Sequence, residues 1–105
     1  MNFQRKRYPC PCCGCFTLLE QGQNDICPVC FWEDDPEQSY DERLDGGANK
    51  VCLEEARKNY LAFGACEKEM LPHVRKPFPE ELIPDKERHG KTFKGLLKRY
   101  FGKLS

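Results

Sequence analysis

"YPCPCCGC", residues 8–15, places four cysteines within six positions. It contains two overlapping C-x-x-C pairs, Cys10/Cys13 and Cys12/Cys15, while "CPVC" at 27–30 supplies a third, Cys27/Cys30. One metal ion takes four thiolates, so the first cluster holds more sulfur than one site needs. Two neighbours choose between the pairs. Pro11 lies between Cys10 and Cys13, where its fixed φ suits a tight turn, and Gly14 tolerates the positive φ that can follow the second ligand. Neither falls in that register for the rival pair Cys12/Cys15. The second cluster repeats the pattern as Cys27-Pro28-Val29-Cys30.

Cys10, Cys13, Cys27 and Cys30 are therefore expected to face one another as a closed S₄ site across a short hairpin. Backbone N–H groups in such turns can point at the thiolates and offset their charge. Structural zinc has this coordination, and binding it can contribute about 10–16 kcal/mol to folding. Iron shares the preference for four soft sulfurs, and C-x-x-C-G with C-P-x-C also describes the knuckles of rubredoxin. The 13 residues between Cys13 and Cys27 favour a zinc ribbon over the longer rubredoxin insert. Zn²⁺ is the expected ion. Cys12, held between two ligands, is expected near the metal as a solvent-facing or packed thiol; the alternative is an alternate ligand or a reactive thiol. Cys15 starts the outgoing strand and is expected to pack.

The 105 residues fit one small domain with an appended tail, divided here as 1–76 and 77–105. Apolar residues are sparse before residue 50, so burial alone would not hold that half together. The 17 basic and 17 acidic residues cancel, but unevenly. Residues 20–48 carry nine acids against Arg43, a net −8, and residues 86–105 carry seven bases against Glu87, a net +6. "MNFQRKRYP" has no apolar core of a signal peptide, and no apolar run is long enough to span a bilayer. A cytoplasmic setting is expected, in which thiols stay reduced and C-x-x-C spacing reads as metal ligation or a redox dithiol rather than a disulfide framework.

Along the chain, short strands are expected on both sides of the first cluster, and a third in "DICPVCF". Residues 32–49 read as an acidic loop ending in a Gly-Gly turn. "CLEEARKNYLAFG" reads as a helix with Leu53, Ala56, Tyr60, Leu61 and Phe63 as its apolar stripe and Gly64 as its C-cap. Cys52 and Glu55 have capping-box spacing, with sulfur in place of a hydroxyl. "LPHVRKPFPEELIP" is expected to be extended. The tail places Phe93, Leu96, Leu97, Tyr100, Phe101 and Leu104 at helical spacing, with lysines opposite.

"YPCPCCG", "CPVCFWEDD" and "GGANKVCLEEARKNYLAFG", in this order, resemble the bacterial cysteine-rich CPCC family over roughly residues 8–76. The resemblance implies a small zinc-binding domain. Its cysteine motif falls on Cys10, Cys12, Cys13, Cys27 and Cys30, its tryptophan-acidic motif on Trp32, Glu33, Asp34 and Asp35, and its glycine motif on Gly46 to Asn49. It also implies an aromatic more often at position 15 and serine at position 52, so neither Cys15 nor Cys52 is an expected ligand.

Trp32 is expected to lid the sulfur site, its acidic neighbours being solvated or capping a turn; the alternative is an acidic recognition loop or a weak cation site. Asn49 is expected to satisfy backbone groups where its loop folds back. Cys66, with Cys12 and His73, offers a second metal site without fixed geometry, and no catalytic constellation stands out. The fold class expected is α+β, a zinc-ribbon or rubredoxin-like knuckle hairpin packed with one or two helices. The function expected is a monomeric, non-enzymatic zinc-stabilised binding module for a protein partner. The alternatives are a thiol redox or thiol-transfer protein using Cys12, and a nucleic-acid binder acting through residues 86–105.

Overall fold

A computed structural model of the chain describes residues 6–84. The amphipathic tail expected over residues 86–105, and its nucleic-acid role, lie outside the described residues. Strands β1 (Tyr8–Pro9) and β2 (Phe16–Leu18) pair antiparallel around the first cysteine cluster. Tyr8 partners Leu18 and Pro9 partners Phe16, so Thr17 is left without a partner in the ladder. This irregularity is a bulge, and bulges re-aim the side chain they carry.

The third strand expected in "DICPVCF" is absent. A single bridge joins Ile26 to Glu33, because the chain between them is occupied by the second cysteine turn. The acidic stretch also differs from the expected loop, since it contains helix α1 (Pro36–Tyr40). Asp35 caps this helix by accepting from the Glu37 N–H at 2.9 Å, and Pro36 stands at its first position, where no N–H is missed.

Helix α2 (Leu53–Phe63) forms where its periodicity places it. The Cys52 sulfur accepts from the Glu55 N–H at 3.5 Å, and Gly64 ends the helix at φ +91°. The second half of the expected capping box goes elsewhere: the Cys52 N–H donates to Asp45 Oδ1 at 3.0 Å. Leu53 and Ala56 are buried, but Leu61 is 85% exposed and does not belong to the buried stripe. The segment expected to be extended contains two 3₁₀ turns, Lys68–His73 and Pro79–Leu82, joined by extended chain. The second turn packs on β2 and Leu82 packs against the core cluster, so residues beyond 76 contribute to the core of the cysteine hairpin.

The core is small and sulfur-rich. Trp32, Leu18, Val29, Leu53 and Ala56 pack with five buried cysteines of the hairpin and with Cys66. Among the described residues no helix is long and apolar enough to cross a membrane.

Candidate metal centre

Two turns of the same construction face each other. In the first, the Cys10 N–H donates to the Cys15 carbonyl at 2.8 Å and the Gly14 N–H to the Cys10 carbonyl at 2.8 Å. In the second, the Cys27 N–H donates to the Trp32 carbonyl at 2.9 Å and the Phe31 N–H to the Cys27 carbonyl at 2.7 Å. The residue after each second cysteine is left-handed, Gly14 at φ +80° and Phe31 at φ +69°. Glycine does this freely; phenylalanine does so at a cost of about 1–2 kcal/mol. Phe31 meets the His73 ring at 5.2 Å, a contact that helps hold it there.

The superposed patterns gather the four sulfurs of Cys10, Cys13, Cys27 and Cys30 within 4.8 Å of one another. Cys10 and Cys30 approach to 3.6 Å, and Cys13 and Cys27 to 3.7 Å. A tetrahedron with metal–sulfur bonds of about 2.3 Å has sulfur–sulfur edges of about 3.8 Å, so the quartet fits one four-coordinate ion. Cys10, Cys27 and Cys30 are fully buried, while Cys13 is partly exposed.

Charge in this quartet is unevenly held. The Cys27 thiol is pulled well below the usual thiol range by hydrogen bonds from Cys10, then Cys13 and Cys30, with Thr17 adding its own. Cys13 and Cys30 are pushed far above it, first by Cys10. The Cys27 thiolate is favoured, and Cys13 and Cys30 resist ionising beside it. A bound divalent cation removes that conflict, which is why such sites release protons when they load. The Thr17 hydroxyl donates to Cys27 Sγ at 3.0 Å, as the bulge permits.

The turns are tied to the rest of the fold by groups with no motif signature. Arg57 of α2 donates to the Pro11 carbonyl at 2.9 Å and pairs with Glu42 at 2.7 Å. The Cys66 N–H donates to the Cys30 carbonyl at 2.8 Å, and the Arg75 N–H to the Pro28 carbonyl at 3.2 Å.

Cys12 is buried at the position that Val29 fills in the other turn, and lies outside the quartet. The burial fits the packed-thiol reading and gives the reactive-thiol reading little access to solvent, and the quartet forms without its sulfur. Cys15 is buried in the core, as its packing role requires. Cys66 is buried too, which pushes its thiol up to about 12, while His73 is exposed on Phe31. Among the described residues the quartet is the one group of cysteines, histidines and carboxylates placed to hold a metal ion.

The acidic motif turns inward instead of outward. Asp34 accepts from the Gly22 N–H at 2.7 Å and from the Ser39 hydroxyl at 3.1 Å. Asp35 accepts from Ala48 and Glu37 N–H groups, which hold its carboxyl below the usual range, the Ala48 bond contributing most. Asn49 accepts from the Glu33 N–H at 2.9 Å and donates to the Glu33 carbonyl at 2.8 Å, satisfying the backbone as its loop folds back. Gln38, fully buried, was not singled out by any sequence signal. It accepts from the Asn49 N–H and donates to the Leu44, Asn49 and Val51 carbonyls, clamping the loop from inside. On the other side, Tyr60, Leu61, Phe63, Leu71, Val74 and Leu82 line an apolar groove of about 660 Å³.

The family model described as "Cysteine-rich CPCC" matches residues 8–81. No curated protein matches the chain.

Proposed function

The chain belongs to the cysteine-rich CPCC family, and from that premise we propose a zinc-ribbon-like protein whose Cys10, Cys13, Cys27 and Cys30 hold one structural Zn²⁺. The observation that carries this reading is the meeting of four largely buried sulfurs within 4.8 Å, from two turns of matching hydrogen-bond pattern. The short hairpin between the turns supports zinc over the rubredoxin type of iron site. Four protein ligands leave no coordination position for water or substrate, so the ion's work is to hold the fold. The protein is then a non-enzymatic binding module. Leu61, 85% exposed on the apolar groove, supports a role in contact rather than catalysis.

The test is the metal content of the protein purified from its host. One zinc per chain, lost in Cys27→Ser, is the expected result. Stoichiometric iron, or full zinc retention in that variant, overturns the assignment.

A further inference from the structure

The quartet is not equally accessible. Cys10, Cys27 and Cys30 are 0–1% exposed, and Cys13 alone is partly open. The sulfurs also sort into two cross-turn pairs, Cys10 with Cys30 and Cys13 with Cys27, at 3.6 and 3.7 Å. Within the quartet an oxidant arriving from solvent therefore meets Cys13 first, and Cys27, in contact across the turns at 3.7 Å, stands ready to receive the product. From this geometry we infer that, of the four metal ligands, Cys13 is the one a hydroperoxide oxidises, with Cys27 as its resolving partner. Oxidation then joins the two turns covalently and expels the ion. The inference rests on the zinc reading above.

The chemistry balances in two steps. The Cys13 thiolate attacks one peroxide oxygen, the O–O bond breaks, and hydroxide or alkoxide leaves, giving a sulfenic acid. The Cys27 thiolate attacks that sulfur, the S–O bond breaks, hydroxide leaves, and the S–S bond forms. Two electrons pass from the two thiolates to the hydroperoxide, and the anions released take protons from solvent. Cys10 and Cys30 alone would then remain as ligands, too few to hold a bound Zn²⁺. The sulfurs must close from 3.7 Å to a bond of about 2.0 Å, a short movement once the oxidised Cys13 sulfur is no longer held as a ligand. Cys12, adjacent in sequence, lies outside the quartet, so its oxidation would remove no ligand from the ion.

The experiment uses the zinc-loaded full chain. Its zinc content is measured first, hydrogen peroxide is added, and released zinc is followed with a chromogenic chelator. Samples are blocked with N-ethylmaleimide under denaturing conditions and mapped by peptide mass spectrometry. The expected result is loss of one zinc per chain in step with a Cys13–Cys27 cross-linked peptide, at a rate unchanged in Cys12→Val. A first disulfide between other cysteines, zinc loss ahead of Cys13 oxidation, or a slowed Cys12→Val variant overturns the inference while leaving the zinc reading intact. A chain that neither carries nor takes up zinc overturns both.

Discussion

Thr17 has no partner across the β1–β2 ladder, and its hydroxyl donates to the Cys27 sulfur at 3.0 Å. The two facts are linked, because a regular register would alternate Thr17 strictly between its neighbours, whereas a bulge turns the residue off that alternation. Among the described residues it is the one hydroxyl bonded to any sulfur of the quartet. Such outer partners fix a ligand's orientation and stabilise its charged form. Thr17→Val keeps the shape and removes the donor. Zinc affinity, measured by competition with a chelator, is expected to fall about 10-fold or more, with Thr17→Ser restoring most of it. In the cobalt-substituted protein the thiolate charge-transfer band should shift in the valine variant and return in the serine variant. Equal affinities for threonine, valine and serine would show the bond to be idle.

Metal removal should be read from Trp32. It is the only tryptophan in the chain and is fully buried, two residues beyond Cys30. Few apolar side chains hold this half of the molecule, so the ion is expected to supply the stabilisation that keeps the indole covered. Chelation should shift Trp32 emission to the red and abolish cooperative unfolding. Adding back zinc should reverse both. Emission that stays blue after complete metal removal would mean the apolar core stands without the ion.

Gly47 predicts a steric effect rather than a conformational one. A Cβ there would lie 2.6 Å from Asp35 Oδ2 and 2.7–2.8 Å from Gln38 side-chain carbons. Neither neighbour can yield cheaply: Asp35 Oδ2 accepts from the Ala48 N–H at 2.9 Å, and Gln38 is fully buried in the clamp. Gly47→Ala should destabilise the zinc-loaded protein by about 1–3 kcal/mol in denaturant unfolding. Gly14 gives the contrasting case. Its Cβ would meet nothing within 4 Å, and the cost of about 1–2 kcal/mol for Gly14→Ala comes from φ +80° alone.

What the sequence revealed followed its short-range chemistry. The C-P-x-C spacing and Gly14 located the first turn, Gly64 located the end of α2, and Asn49 was recognisable as a backbone clamp. Phe31 was opaque, since an aromatic residue carries no signal of a left-handed backbone, and only the second turn's hydrogen bonds explain it. Helix α1 had a signature in Asp35-Pro36, a cap followed by proline, but the surrounding run of acids masked it. Gln38 and Arg57 were illegible for another reason: their partners lie 11 and 46 residues away, at Asn49 and Pro11, where no periodicity points. Leu61 shows the converse, an apolar residue at helical spacing that the short core leaves uncovered.

Cys66 sets an alkaline limit. Burial first, and the neighbouring Cys12 next, push its thiol up to about 12. In the unfolded chain the same thiol ionises near 8.5. The folded value is the higher one, so the neutral thiol's contribution is complete below about pH 8.5 and is lost as pH rises toward the folded value. The stability advantage of the native protein over Cys66→Ala should be constant from pH 7 to 8 and shrink toward pH 10. Urea unfolding of both zinc-loaded proteins across that range gives the measurement. An advantage that does not change with pH would show that Cys66 is not held neutral.

The crowding of sulfur in the first turn resolves through the second. Aligned by their hydrogen bonds, the turns place Cys10 on Cys27, Pro11 on Pro28, Cys12 on Val29, Cys13 on Cys30, Gly14 on Phe31 and Cys15 on Trp32. Cys12 thus occupies a position that the other turn fills with a buried valine, at 7% exposure against 1%. A cysteine there behaves as a small apolar side chain, and its sulfur is not required by the ion. Cys12→Val should keep one zinc per chain, and the extra methyl in a packed position should cost no more than about 1–3 kcal/mol. Cys13→Val, one position on, should lose the metal and the cooperative transition with it. If instead Cys12→Val loses zinc while Cys13→Val retains it, the register of the first turn is the rival one, Cys12 with Cys15.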